Sequence, residues 1–288
     1  MHHKAASSEA DVIMLDLEDS VSKDLKKTAR KTVAESLEQI DWGKKTLSVR
    51  INGLDTPFAY QDIPEIIRVQ SPALQTLVVP KVNNIADIHF VARFLDGLEM
   101  DIPNSTFMQI EASIESAQGM ANIEQIAKSS NRLISLVFGI ADYTASIGAR
   151  LVSISGHGEN EAAIYPGHRW HFALSRIVMA AKANDLLAID APFGSFKDNE
   201  GLIQSSQLAR ALGCDGKWAI HPEQLSVINT HFTPLPEDIQ KAAQILAASK
   251  NSENGAISVN GQMIDQASVR LAQKIWDQAT ALKPNDAC

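Results

Sequence analysis

The chain has 288 residues, 45% of them hydrophobic, with a formal net charge of -8 and a pI near 5.5. That size can bury one large core without a split into two domains. The acidic balance argues against broad binding to nucleic acid or anionic membranes. No apolar run nears the roughly 18 residues that a membrane span needs, and residues 1–10 are too polar for a signal peptide. Cys214 and Cys288 carry neither metal nor disulfide spacing, which fits a reducing cytoplasm.

Taken in chain order, short aliphatic or β-branched runs alternate with longer amphipathic stretches. Strands are predicted at 11–17, 46–51, 75–79, 107–114, 133–138, 186–189 and 217–220. Helices are predicted at about 23–38, 61–68, 84–97, 117–129, 168–183, 199–212 and 222–230, with Ser22 and Asp198 placed as N-caps. Strand–helix alternation with strands apolar on both faces implies a parallel sheet covered by helices. Seven strands are one short of a closed (β/α)₈ barrel, and the first run begins only ten residues into the sequence, so the absent strand is expected ahead of it. Residues 151–167, rich in Gly, Ser and His, form a long irregular connection, of a kind that is more often functional than structural. Beyond residue 232 the pattern changes. Pro234 and Pro236 precede a helix at 238–249, an alternating Ile257/Val259 strand lies between Asn-Gly pairs, and a last helix covers about 266–282. The expected division is a barrel over 1–232 and a lid or oligomerisation segment over 233–288.

The chemistry-bearing residues fall where the apolar runs end: Asp16, Glu18 and Asp19; Arg50-Ile-Asn52; Pro80-Lys81; Glu111 to Glu115; Gly139 to Asp142; Asp190; and His221-Pro222. Polar groups converging from several strand ends onto one face form the layout of a barrel enzyme. Glu115 and Asp142 follow successive strands and suit a hard divalent ion such as Mg²⁺. Either acid alone would equally serve a helix N-terminus. Arg50 can grip a carboxylate or oxyanion with two N–H groups, or be paired with Glu18 or Asp19. Both roles are compatible, with Asp16, Glu18 and Asp19 orienting it. Lys81 is a candidate for a substrate anion. His168 and His171 share a helix face but have no third ligand, Gly156-His157-Gly158 lacks the context of a phosphate loop, and Trp170 and Met179 read as core.

In their order, seven motifs resemble the citrate lyase β-subunit / malyl-CoA lyase family of Mg²⁺-dependent C–C lyases. They are Asp16-Leu-Glu-Asp-Ser-Val21, Arg50-Ile-Asn52, Val79-Pro-Lys81, Ile114-Glu-Ser-Ala-Gln-Gly119, Phe138-Gly-Ile-Ala-Asp142, Gly216-Lys-Trp-Ala-Ile-His-Pro222 and Gly261-Gln-Met-Ile-Asp265. The stretches His168–Arg176 and Ala188–Gly194 are similar to the L-malyl-CoA/β-methylmalyl-CoA lyase branch.

The resemblance implies a TIM barrel, here without its usual first strand of the type Arg-Ser-x-Leu-x-x-Pro-Gly. It implies Glu115 and Asp142 as ligands of Mg²⁺ (Mn²⁺ as an alternative), Arg50 as substrate clamp, and Glu18, Asp19 and Lys81 around the substrate. Asp265 would be the acid/base, contributed to a neighbouring subunit's site in a homotrimer or hexamer; its own sequence context reads only as a turn or N-cap. Closure of the C-terminal segment is expected to desolvate Asp265 and raise its pKa. The implied reaction is reversible cleavage of malyl-CoA or β-methylmalyl-CoA to glyoxylate and acetyl-CoA or propionyl-CoA. The alternatives are a malyl-CoA thioesterase, a citrate lyase β-type subunit working with partner subunits, or an inactive homologue.

Overall fold

A computed structural model describes residues 1–103, 105–149, 169–250, 257–259 and 262–281. Its chain divides into two compact units, Met1–Ile228 and Asn229–Cys288.

The first unit is built on seven parallel strands that lie side by side in sequence order. These are β1 (Val12–Asp16), β2 (Thr46–Arg50), β3 (Leu74–Val79), β4 (Gln109–Ile114), β5 (Leu133–Phe138), β6 (Leu187–Asp190) and β7 (Gly216–Lys217). Among the described residues β1 and β7 are the edge strands of this half-barrel sheet, which has the seven strands expected from the sequence. Parallel pairing needs a crossover of a dozen or more residues, and helices provide it: α1 (His2–Ala6) precedes β1, then α2 (Lys26–Gln39), α3 (Ala59–Ile67), α4 (Ile85–Asp101), α5 (Ala117–Ala121), α6 (Ile123–Ala127), α7 (Ile140–Ser146), α8 (His171–Lys182), α9 (Asn199–Leu212) and α10 (Leu225–Phe232) follow.

Burial explains why these runs become strands. Leu47, Val49, Leu77, Val79, Ile110, Ala112, Ile114 and Leu136 are wholly buried, and Ile63, Ile66, Ile88, Val91, Leu95, Ile123 and Ile126 join them from the helices. Each such Val, Leu or Ile side chain contributes roughly 1.5–3 kcal/mol, and truncating Ile110 to Ala would cost about 2–5 kcal/mol.

The register matters more for function. Asp16 pairs with Arg50, Arg50 with Val78, Val78 with Glu111, and Glu111 with Ser135. Side chains along one such row point to the same face, so the sheet carries acids and a guanidinium together on the face opposite the apolar set.

Several sequence expectations need correction. The seventh strand is Gly216–Lys217, not 217–220; its polar, glycine-led sequence lacks the apolar run that marks the others. The stretch 117–129 is two short helices broken at Asn122, and 23–38 opens with a 3₁₀ turn before α2. Asp198 caps α9 by accepting from the Gly201 N–H at 2.9 Å, whereas the Ser22 side chain makes no cap bond. Trp170 is buried, but Met179 is 55% exposed and not core. Residues 151–168, with Gly156-His157-Gly158 and His168, and Cys288 lie outside the described residues.

The second unit contains α11 (Pro236–Lys250), an antiparallel hairpin of β8 (Ile257–Val259) and β9 (Gln262–Ile264), and α12 (Gln266–Ala281). Ala242, Ile245, Ile264 and Ala272 give it a small core of its own. Among the described residues, no helix is long and apolar enough to cross a membrane.

Candidate active site

The C-terminal ends of β1 and β2 meet through Arg50. Its Nε and one Nη donate to the two oxygens of Asp16, at 2.7 and 2.6 Å, and its other Nη lies 3.0 Å from Glu18. Burial would by itself raise the Asp16 pKa, yet the fork and charge of Arg50 outweigh it and hold the carboxyl below its usual range. Arg50 is likewise disfavoured by burial, and Asp16 and Glu18 more than restore its charge. A guanidinium has five N–H donors. Asp16 takes two and Glu18 engages one Nη, which leaves donors for a substrate oxygen. Asp19 does not pair with Arg50, contrary to one alternative drawn from the sequence.

Two further interactions hold this corner. Buried Lys26 donates to the backbone carbonyls of Leu17 and Glu18, at 2.7 and 2.6 Å, and so fixes the chain as it leaves β1. Asp62 accepts from both the backbone and side-chain N–H of Asn52 and pairs with Arg30 at 2.7 Å, fixing the turn after β2.

Lys81, just after β3, reaches Glu18 at 2.6 Å and Asp19 at 3.5 Å. Its ammonium is partly buried, which disfavours the charge, but Glu18, Asp19 and Asp142 raise its pKa on balance. Lys81 has φ +53°, a left-handed conformation uncommon for a side-chain-bearing residue. In that conformation its backbone N–H donates to Glu115 Oε1 at 2.5 Å. Glu115 therefore does not act as a helix cap. The cap of α5 is Ser116, which accepts from the Gly119 N–H at 2.9 Å, and Gly119 has no room for a Cβ against the Val82 carbonyl.

Glu115 is buried, and burial pushes its pKa up to about 7 against the Lys81 N–H bond, with the charges of Asp142 and Glu18 adding to the rise. Its second oxygen occupies space that a side chain on Gly139 would fill: a Cβ there would fall 2.2 Å from Oε2. Asp142 stands in the first turn of α7, which follows β5 directly.

The donor set fits a divalent cation. Among the described residues, the cations that face Asp16, Glu18, Asp19, Glu115 and Asp142 are Arg50 and Lys81, an excess of three negative charges when all are ionised. Glu115 has a buried, proton-favouring carboxyl that a cation would return to its charged form. Among the described residues no three His, Cys, Asp or Glu side chains gather into a complete ligand set. Two carboxylates with the remaining positions left to water and substrate suit Mg²⁺.

The structure thus brings together Glu18, Asp19, Arg50, Lys81, Glu115 and Asp142. Asp265 belongs to the second unit and caps α12: its Oδ1 accepts from the backbone N–H and hydroxyl of Ser268 at 2.8 and 2.9 Å. These bonds hold the exposed carboxyl below its usual pKa. In this chain alone Asp265 has the cap geometry that its sequence context indicates.

Comparison with known proteins identifies the family. Residues 1–222 match the family described as HpcH/HpaI aldolase/citrate lyase. The chain belongs to that family. It is 40% identical over 287 residues to an L-malyl-CoA/β-methylmalyl-CoA lyase of Cereibacter sphaeroides, covering 97% of this chain and 90% of that one. The Rhodobacter capsulatus enzyme of the same description is 41% identical, with 97% and 91% covered. A citrate lyase subunit beta of Leuconostoc mesenteroides is 35% identical, with 94% and 86% covered. Among solved structures, the chain is similar to CitE of Mycobacterium tuberculosis in complex with magnesium, acetoacetate and coenzyme A, with TM-score 0.70, 28% identity and 96% and 91% coverage. RipC of Yersinia pestis aligns at TM-score 0.64 and 35% identity, with 81% and 94% covered.

Sequence reasoning missed Lys26, Asp62, the space that Gly139 leaves for Glu115, and the interior position of Glu111. For Glu111 a signal was available. Gln109-Ile-Glu-Ala-Ser-Ile-Glu115 alternates polar and apolar, the pattern of a strand with one polar face. Lys26, Asp62 and Gly139 carry no such local mark.

Proposed function

We propose that this HpcH/HpaI-family chain is a Mg²⁺-dependent carbon–carbon lyase that reversibly cleaves malyl-CoA, β-methylmalyl-CoA or both to glyoxylate and acetyl-CoA or propionyl-CoA. The observation that carries the reading is Arg50, locked by Asp16 and Glu18 with donors to spare, beside the Glu115–Asp142 carboxylates. The malyl-CoA lyases to which nearly the whole chain is similar support the substrate class.

In this reading Glu115 and Asp142 hold the ion, which when bound supplies Lewis-acid polarisation of the oxo-acid carbonyl and neutralises the excess acidity of the pocket. Arg50 grips the glyoxylate oxygens and stabilises the oxyanion that develops on the aldehyde oxygen. Lys81 and the acids Glu18 and Asp19 line the same corner, with Glu18 fixing both cations. Asp265, brought by the second unit of a neighbouring subunit in a trimer or hexamer, removes a proton from the acetyl methyl group. The electron pair released from that C–H bond forms the new C–C bond to the aldehyde carbon, and the resulting alkoxide takes a proton. Cleavage is the same path reversed. Enclosure of Asp265 by this docking would remove water from its carboxyl and raise its pKa toward that of a competent base. The same segment acts as lid and oligomerisation element, and the seven parallel strands serve as the wall of a TIM-type barrel.

The test is product analysis on malyl-CoA with and without Mg²⁺, trapping glyoxylate and measuring free CoA. Glyoxylate and acetyl-CoA in equal amounts, abolished by chelation, are expected. Free malate and CoA would overturn the lyase reading in favour of a thioesterase. Turnover of a citryl thioester alone would favour the citrate lyase β-type activity, which the 35% identity to such a subunit keeps in view.

A further inference from the structure

Within the curl of the sheet, Glu111 stands on the register row that also holds Asp16 and Arg50, with Val78 between. Strands two apart are separated by about 10 Å, and among the described residues the ion-pair partners of Arg50 are Asp16 and Glu18, not Glu111. The gap is spanned by Trp218, the residue after β7. The Trp218 backbone N–H is held by the Asp190 carbonyl at 3.1 Å. Its indole interacts with the Glu111 carboxyl and favours its charged form, and its ring lies 5.9 Å from the Arg50 guanidinium carbon. Glu111 is in turn held by the Ser135 hydroxyl, which donates to Oε2 at 2.6 Å. Burial raises the pKa of this carboxyl, and among the described residues no ion pair engages it. A carboxyl on the inner face with two hydrogen-bond donors and no cation is more than packing requires. An aliphatic side chain would fill the same space without a desolvation cost.

We propose that Glu111 is a positioning residue for the substrate clamp: it anchors the Trp218 indole, and the indole face keeps Arg50 turned toward the oxo acid. Asp16 sets one edge of the guanidinium and Trp218 limits its swing out of that plane. Arg on an aromatic face is attracted by the ring quadrupole, and a clamp must be held within a fraction of an ångström to favour the transition state. Glu111 acts through hydrogen bonds, so an amide that can accept from Trp218 and donate to Ser135 substitutes for it. The inference relies on Arg50 being the clamp, and the experiment separates the two ideas.

Steady-state kinetics in the condensation direction, varying glyoxylate and acetyl-CoA separately, would be measured for Arg50→Lys, Glu111→Ala, Glu111→Gln and Trp218→Phe, with thermal melts to verify folding. Arg50→Lys is expected to lose at least about 100-fold in kcat/KM for glyoxylate; if it does not, the clamp reading fails by itself. With Arg50→Lys impaired, Glu111→Ala and Trp218→Phe are expected to raise the KM for glyoxylate about tenfold. The KM for acetyl-CoA should stay within about twofold, and Glu111→Gln should recover most of the loss. Should Glu111→Ala not fold, Trp218→Phe carries the test, because it keeps an aromatic side chain and removes the anchoring N–H. An unchanged KM for glyoxylate in these variants, a Gln variant as impaired as Ala, or equal losses for both substrates would each overturn the proposal.

Discussion

Replacing Glu115 with Gln tests the candidate metal pocket without any assay of turnover. The buried carboxyl has its pKa raised from an ordinary 4.5 to about 7, so the folded chain holds a proton between these values that the unfolded chain has lost. Stability must then fall as pH rises through that window. Two and a half pH units at about 1.4 kcal/mol each give about 3.5 kcal/mol, fully lost above pH 7. For a unit of this size that corresponds to a Tm difference on the order of 10 °C. A divalent cation that binds the ionised carboxylate reverses the penalty, and because it displaces the proton it should stabilise more at pH 8 than at pH 5.5. The assay is thermal melting of the wild-type chain and Glu115→Gln across pH 5–8, with EDTA and with millimolar Mg²⁺. The wild type should lose stability toward pH 8 in EDTA and regain it with Mg²⁺, while Glu115→Gln should show a flatter profile and little response to the ion. Equal pH slopes and equal Mg²⁺ responses in the two proteins would refute the reasoning.

Gly139→Ala would place a methyl group 2.2 Å from Glu115 Oε2 and 2.3 Å from its Cβ, so Glu115 must move. Calorimetric titration should show Mg²⁺ affinity weakened about tenfold or more, of the size seen when groups supporting a metal ligand are lost. Asp265→Asn should leave Mg²⁺ and CoA-ester binding nearly intact and lower kcat by orders of magnitude. If Asp265 serves a neighbour's site, co-refolding inactive Asp265→Asn with inactive Arg50→Lys should restore part of the activity, whereas mixed assemblies that stay dead would exclude sharing between subunits. The Lys217 side chain is 2% exposed and bonds to Asp190, the Ala191 carbonyl and Ser205. Lys217→Met strands the Asp190 charge and should lower chemical-denaturation stability by about 3 kcal/mol; a loss below 1 kcal/mol would show that water reaches that pair.

The strands were legible where both faces of the sheet are covered. Leu133–Phe138 was predicted to the residue because every position in it but Ser135 is apolar. Gly216–Lys217 was displaced because two polar residues make a strand only through pairing with β6. Helix breaks such as that at Asn122 are decided by packing and capping against neighbours. Within the site, acids and bases at strand ends were readable one by one, as Glu18, Arg50, Lys81, Glu115 and Asp142 were. Their partners were only partly readable: Glu18 and Asp19 were both candidates for Arg50, with Asp16 beside them, and the structure pairs it with Glu18 at 3.0 Å and not with Asp19, while the register of β1 on β2 sets Asp16 directly opposite it.

By itself the sequence determined which residues this protein has to work with, and that they lie at the ends of parallel strands. Apolar runs must be buried and charges must stay at their margins, and that rule is local and needs no coordinates. Only the tertiary structure decided which charge meets which: the fork of Asp16 on Arg50, the left-handed Lys81 that turns its N–H onto Glu115, the space at Gly139, and the Glu111–Trp218 contact across the sheet. Those pairings depend on strand register and sheet curvature, which join residues tens of positions apart and leave no periodic mark on the chain.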